Sequence, residues 1–92
     1  MSYSVALTGS DQVVKDQATV YRGFTIRETS GSDAAVVLLY DNASAASGTI
    51  IEQISLLPGE SAREWYSGGF VVANGIYADV VSGAVAGSIR IG

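Results

Sequence analysis

The sequence predicts an all-β fold: a small antiparallel β-sandwich or jelly-roll of about eight short strands. Apolar residues alternate with polar ones over short segments, which is the period of a half-buried strand. Turn signals separate these segments at intervals of about 8–12 residues, a spacing typical of sandwiches and jelly-rolls. The 92 residues suffice for one domain and are too few for two.

The first segment of the chain is open to several interpretations. Tyr3, Val5 and Leu7 alternate with polar partners and indicate a strand. Residues 10–18 could form a strand, an extended arm or a short helical turn. We therefore divide the chain into an N-terminal strand or arm over residues 1–19 and a β-sandwich domain over residues 20–92, within a single domain overall.

The middle of the chain contains alternating segments on either side of a continuous apolar run. Residues 35–40 are apolar on both parities, which predicts a central strand covered on both faces. Glu52 interrupts the apolar parity of the segment that follows. The alternating apolar positions of these segments are Val20, Phe24, Ile26, Ile50, Ile54 and Leu56.

Two dipeptides in the second half specify turns. Pro58-Gly59 predicts a type II turn, because proline presets the first central position and glycine accepts the positive φ at the second. Asn74-Gly75 predicts a two-residue hairpin, because both residues accept positive φ. The strands after this turn have apolar residues at Ile76, Ala78, Val80, Val85, Ile89 and Ile91.

The composition excludes several partners. The chain has a net charge of −4, and its five basic residues are scattered singly, so we expect no nucleic-acid binding. The longest apolar run, residues 34–40, is far shorter than the ~20 residues that cross a bilayer. The opening residues lack the basic and apolar regions of a secretory signal. We therefore expect a protein made in a cytoplasm, with no membrane partner.

Residues suited to catalysis are scarce. The chain has neither histidine nor cysteine, so it lacks the base and nucleophile of hydrolytic triads and the preferred zinc ligands. Glu60 and Glu64 would lie about 13–14 Å apart on one strand, beyond the roughly 5–9.5 Å used by glycosidases. Asp33, Asp41 and Asn42 do not form a calcium-loop pattern. We expect no enzyme activity, no catalytic residue, no cofactor and no metal site.

A surplus of apolar residues indicates a partner surface. Apolar residues make up 48% of the chain and charged residues only 15%, against roughly 25% charged in typical domains. The C-terminal run has a single charge, Arg90, and such surplus usually marks an interface. Trp, Tyr and Arg dominate interface hot spots. The candidate interface residues are Arg63, Trp65, Tyr66, Val81, Ile89 and Ile91. For Trp65, a core position and a sugar-stacking position stay open beside an interface.

Several segments together resemble small β-rich structural proteins of tailed bacteriophages, a group that includes capsid decoration (cement) proteins and short fibre- or tail-associated modules. These segments are YRGFTIRET at 21–29, VVLLYD at 36–41, LPGESAREWY at 57–66, GIYADVVSG at 75–83 and GSIRI at 87–91. The similarity covers roughly residues 20–91 and contains no catalytic signature.

The resemblance implies a non-enzymatic virion structural protein: a capsid decoration protein that binds the mature shell and stabilises it. Its partners would be the major capsid protein and other copies of itself, as a homo-oligomer such as a trimer. It would be synthesised in the host cytoplasm and located on the capsid surface. The N-terminal twenty residues could be an arm that docks on the shell. The alternative is a tail- or fibre-associated carbohydrate- or receptor-binding module.

Overall fold

A computed structural model describes residues 2–92, which form eight strands in two four-stranded sheets. All strand pairs are antiparallel, so the predicted all-β sandwich is confirmed. The strands are β1 (Tyr3–Ala6), β2 (Gln12–Lys15), β3 (Thr19–Glu28), β4 (Ala35–Tyr40), β5 (Ile50–Leu56), β6 (Ser61–Val72), β7 (Ile76–Ser82) and β8 (Val85–Ile91). No helix in residues 2–92 is long and apolar enough to cross a membrane.

The strand order is that of a jelly-roll. Sheet I has the order β1-β8-β3-β6 and sheet II the order β2-β7-β4-β5. The chain therefore resembles one long hairpin, in which β4 pairs with β5, β3 with β6, β2 with β7 and β1 with β8, rolled into two layers. Only β4 and β5 are consecutive strands of the same sheet, and every other connection crosses from one sheet to the other.

The core lies between the two sheets. Successive side chains of a strand point to opposite faces, so alternate apolar residues from both sheets meet in the middle. Full burial of each large apolar side chain contributes roughly 1.5–3 kcal/mol relative to exposure. The largest fully buried side chains are Tyr21, Ile26, Val37, Leu39, Ile76 and Ile89.

The N-terminal residues form edge strands of both sheets. β1 pairs with β8 from Tyr3 opposite Ile91 to Ala6 opposite Ser88, at the edge of sheet I. β2 pairs with β7 at the edge of sheet II, with Gln12 opposite Ala78. Of the alternatives left open for residues 1–19, the strand is the one that forms, first as β1 and again as β2. Met1 lies outside the described residues.

The C-terminal strand corrects part of the predicted interface. Ile89 has no exposed surface and Ile91 is only 6% exposed, so the prediction that they lie at an interface is wrong. Both residues share the inward parity of β8 and pack in the core, while Ser88 and Arg90 occupy the outward parity. The apolar run at the C-terminus therefore completes the core.

The two predicted turns have different outcomes. Gly59 has φ of 73° as expected, and the Glu60 N–H donates to the Leu57 carbonyl oxygen at 2.9 Å across the turn. The predicted hairpin at Asn74-Gly75 is wrong, because β6 and β7 belong to different sheets. Within residues 2–92 only glycines have positive φ, so Asn74 does not adopt the hairpin conformation.

The corner at residues 73–75 is instead held by a carboxylate from another loop. The backbone N–H groups of Ala73 and Asn74 donate to the Asp41 carboxylate at 3.3 and 2.9 Å. Gly75 has φ of 142° and lies against the Lys15 backbone. This turn therefore carries the chain from sheet I to sheet II.

Candidate interaction surfaces

An open groove lies on the outer face of sheet I. Its volume is about 430 Å³, and Trp65 beside it is 53% exposed. We call it the Trp65 groove, and it is lined by Thr25, Arg63, Glu64, Trp65 and Arg90.

Strand register brings the residues of this groove together. Gly23 of β3 lies between Arg90 on β8 and Trp65 on β6. In the next row Thr25 lies between Ser88 and Arg63. Directly opposed residues share a face of the sheet, so Arg90 and Trp65 flank a position without a side chain. Neighbouring strands are about 4.7–4.9 Å apart, so this gap is roughly 9–10 Å wide between Cα atoms.

A glycine is required at position 23, where β3 approaches β6 closely beside the groove. Its φ of 128° is a conformation that residues with a Cβ rarely adopt. A Cβ at this position would also meet the Glu64 carbonyl group of β6. The register shifts between Tyr21 and Gly23, so residues 66–69 of β6 bulge opposite Arg22. Arg22 Nη1 donates to the Ser67 carbonyl oxygen at 3.0 Å and ties this bulge to β3.

Tyr66 is directed away from the groove. Its hydroxyl donates to the Glu52 carboxylate at 3.0 and 3.2 Å, and its ring lies 5.8 Å from those of Tyr21 and Phe70. Burial, and then the hydrogen bond to Glu52, raise the pKa of Tyr66. The structure therefore brings Arg63 and Trp65 together on one surface but uses Tyr66 in contacts within the chain.

The outer face of sheet I is basic although the chain is acidic. Arg27, Arg63 and Arg90 lie on its outward parity, opposite serine, threonine, alanine or glycine residues. Glu28 has the inward parity and is only 3% exposed. Glu64 has the same inward parity at the sheet edge, where it borders the Trp65 groove. Three arginines of a chain with net charge −4 are thus gathered on one face.

An apolar row crosses the outer face of sheet II. Val13, Tyr77, Tyr40 and Ile50 are directly opposed on β2, β7, β4 and β5. Val13 and Ile50 are 44% and 47% exposed, and the two tyrosines are half-buried. Half-buried Leu38 and Val36 continue this surface along β4. We call these residues the sheet II apolar face: Val13, Val36, Leu38, Tyr40, Ile50 and Tyr77.

The predicted central strand and Val81 belong to this second surface. β4 is central in sheet II, as predicted, but its outer side chains are only half-buried because no further layer of residues 2–92 covers them. Val81 is 54% exposed near one end of β7. Asp79 lies opposite Leu38, and burial followed by the nearby charge of Asp11 raises its pKa. This face is therefore apolar with little charge.

Sequence reasoning found part of each surface. It identified Arg63, Trp65 and Val81 from residue type, and residues 35–40 from their continuous apolar character. It missed Thr25, Glu64 and Arg90 as neighbours of Trp65, because only the register of three strands brings them together. Val13 and Tyr77 stand next to apolar residues that point inward, so the sequence pattern carried no signal that these two lie on the outer face.

Comparisons with known proteins add no family assignment. The chain matches no protein-family model, and neither a curated protein nor a solved structure is significantly similar to it. Within residues 2–92 no group of three or more carboxylate side chains is arranged to hold a metal ion. The functional interpretation therefore depends on the two surfaces.

Proposed function

We propose that the protein is a non-enzymatic bacteriophage virion protein, a capsid decoration protein that binds the mature shell through the sheet II apolar face. The observation that carries this proposal is the row of Val13, Tyr77, Tyr40 and Ile50 across all four strands of that sheet. A contiguous apolar surface on a soluble protein often marks a site of protein–protein interaction.

The chemistry of this face suits a protein partner. The cores of protein interfaces are depleted of charge and enriched in aromatic residues. Tyr40 and Tyr77 occupy the centre of the row, and Asp79 is the acidic residue in the adjacent row. Burial of apolar surface contributes roughly 25 cal/mol per Å² before the costs of association, so a flat apolar face is an effective docking surface.

Stabilisation of the shell would follow from selective binding. A ligand that binds only the mature lattice stabilises it by about 2.7 kcal/mol per site when its free concentration is 100 times Kd. Many equivalent sites on one shell multiply this effect. The protein needs no catalytic group for such a role.

Contacts between copies would use the sheet edges. β6 is an edge strand of sheet I and, at 12 residues, the longest strand of the chain. Exposed edge strands tend to pair with other strands unless something covers them. A homo-oligomer on the shell, such as a trimer, would cover these edges with neighbouring copies.

The jelly-roll fold agrees with this proposal without establishing it. Viral capsid proteins and lectins both use jelly-rolls, and a fold by itself does not determine function. The decoration role is preferred over a lectin-like role because residues 20–91 resemble phage structural proteins.

Co-sedimentation tests the proposal. Purified protein is incubated with mature and with immature shells of the same phage's major capsid protein, and the bound fraction is measured after centrifugation. We expect saturable binding to mature shells at a fixed ratio to capsid subunits, and little binding to immature shells. The absence of binding to mature shells would contradict the decoration role.

The alternative is a tail- or fibre-associated module that binds a carbohydrate or receptor. The exposure of Trp65 beside Thr25, Arg63 and Arg90 favours it, because sugar-binding surfaces combine an open aromatic ring with polar groups. Retention on a glycan array without binding to shells would support this alternative over decoration.

A further inference from the structure

We propose that the Trp65 groove is a binding site for a carboxylated saccharide of the uronic-acid class. This proposal goes beyond shell docking and does not depend on it, because the groove lies on the opposite sheet. The two layers of a sandwich are about 10 Å apart, so the groove stays open when the sheet II apolar face is covered.

Trp65 provides the surface for the sugar ring. Its side chain is 53% exposed, although a tryptophan gains more from burial than any smaller residue. The groove beside the indole is lined by Thr25, Arg63 and Arg90. The exposed part of the indole can stack against a sugar ring that enters the groove.

Arg63 and Arg90 provide the charge for a carboxylate. Arg63 is on β6 and Arg90 on β8, with β3 between them. Arg63 is opposite Thr25 and Arg90 is opposite Gly23, so their Cα atoms are about 12 Å apart on the two sides of the groove. Two extended arginine side chains can converge across this distance. In residues 2–92 the only arginine side-chain hydrogen bond is that of Arg22, so both guanidinium groups keep their donors for a ligand. Guanidinium binds carboxylate in a bidentate, charge-assisted geometry.

The remaining groups of the groove favour a polyhydroxyl ligand over a polyanion. Thr25 offers a hydroxyl that can exchange hydrogen bonds with sugar hydroxyls. The groove has one aromatic ring and two arginines, whereas binding of a run of phosphates depends on many cations and several stacking rings. A volume of about 430 Å³ is within the range of small-molecule sites.

The single tryptophan makes this proposal directly measurable. Because Trp65 is the only tryptophan of the chain, its fluorescence reports on the groove alone. The probe is an oligosaccharide that contains glucuronate, titrated in low salt, with a neutral glucose oligomer of equal length and an oligothymidylate as comparisons. We expect a saturable fluorescence change with the acidic saccharide, weakened by salt, and none with the neutral one.

Arginine variants identify the site. We expect Arg63→Gln and Arg90→Gln each to weaken binding about tenfold, the size of one lost charge-assisted hydrogen bond. Arg27→Gln is the matched control, because Arg27 lies on the same face but outside the groove. It should change the affinity less than threefold. None of the three substitutions should alter co-sedimentation with mature shells, which separates this proposal from the decoration role.

Three outcomes would overturn the proposal. The first is the absence of a saturable change with the acidic saccharide. The second is tighter binding of the oligothymidylate, which would indicate a nucleic-acid surface. The third is an equal loss of affinity in Arg27→Gln, which would show that only the overall charge of the face matters.

Discussion

Glu28 is a buried carboxylate that organises two loops. Its oxygens accept the backbone N–H groups of Ser30, Gly31 and Gly59 at 2.7, 2.7 and 2.9 Å. A hydrogen bond from the Ser30 side chain, together with these N–H groups, lowers the pKa of Glu28 to about 2 despite its burial. The end of β3 is thereby connected to the turn at Pro58-Gly59.

This carboxylate predicts a specific loss of stability in acid. Its folded pKa of about 2 is below the ordinary value of 4.5, so its contribution is complete above pH 4.5 and disappears as the pH falls toward 2. We expect Glu28→Gln to lower the urea midpoint at pH 7 and to flatten the dependence of stability on pH within that window. Asp33→Asn, an exposed change in the same loop, is the control. Identical slopes for wild type and Glu28→Gln would contradict this role.

Tyr21 and Tyr66 have ring centroids 5.8 Å apart, and removal of their hydroxyls should change the free energy of unfolding in opposite directions. The Tyr21 hydroxyl is buried without a hydrogen-bond partner, and burial raises its pKa far above the ordinary value. The Tyr66 hydroxyl instead donates to Glu52. We expect Tyr21→Phe to raise the free energy of unfolding by about 1 kcal/mol and Tyr66→Phe to lower it by a similar amount. Urea denaturation measures both, and a clear loss of stability in Tyr21→Phe would contradict the unpaired assignment.

At the scale of strands, the sequence predicts which segments are extended better than how they connect. Alternation in β3 or β8 depends only on neighbours along the chain, so it is visible in the sequence. The dipeptide Asn74-Gly75 predicts a turn but cannot show whether the next strand returns in the same sheet. Asp41, more than thirty residues away, supplies the contacts that make it a corner.

The close approach of β3 to β6 beside Trp65 requires a glycine at position 23. Replacing Gly23 with alanine would force the new Cβ against the Glu64 carbonyl group and strain a backbone with φ of 128°. We expect Gly23→Ala to lower the free energy of unfolding by at least about 2 kcal/mol, measured by urea denaturation. Gly68→Ala is the matched control on the same strand pair, since no atom lies within 4 Å of its added Cβ. Equal stability of the two variants would contradict the close approach.

The apolar surplus of the whole molecule has a different location from the one predicted. The C-terminal run contributes Val85, Ile89 and Ile91 to the core, where alternation with Ala86, Ser88 and Arg90 directs them inward. The unburied surplus lies on both sheets. On sheet I it comprises Tyr3, Trp65, Phe70 and Val71, and on sheet II it surrounds the continuous apolar run of β4. Period-two patterning indicates which residues share a face, but only the packing of two layers shows which face is inside.

The two outer faces of the sandwich differ in chemistry. Sheet I has three arginines on its outer face together with exposed Trp65 and Val71, whereas sheet II has a row of aliphatic and tyrosine side chains with little charge. Arg63 and Trp65 could be predicted as surface anchors from their residue types. Their association with Arg90 could not, because it requires the pairing of β8 with β3 and of β3 with β6.

Shell binding by variants of the two faces tests the decoration role most directly. Val13→Glu combined with Ile50→Glu places charges on exposed edge-strand positions of the sheet II apolar face, where the fold tolerates them. Val71→Glu is the matched control on sheet I, at a site that is 73% exposed. In co-sedimentation with mature shells, we predict at least tenfold weaker binding of the double variant and unchanged binding of the control. Full binding of the double variant, or a loss confined to Val71→Glu, would contradict docking through sheet II.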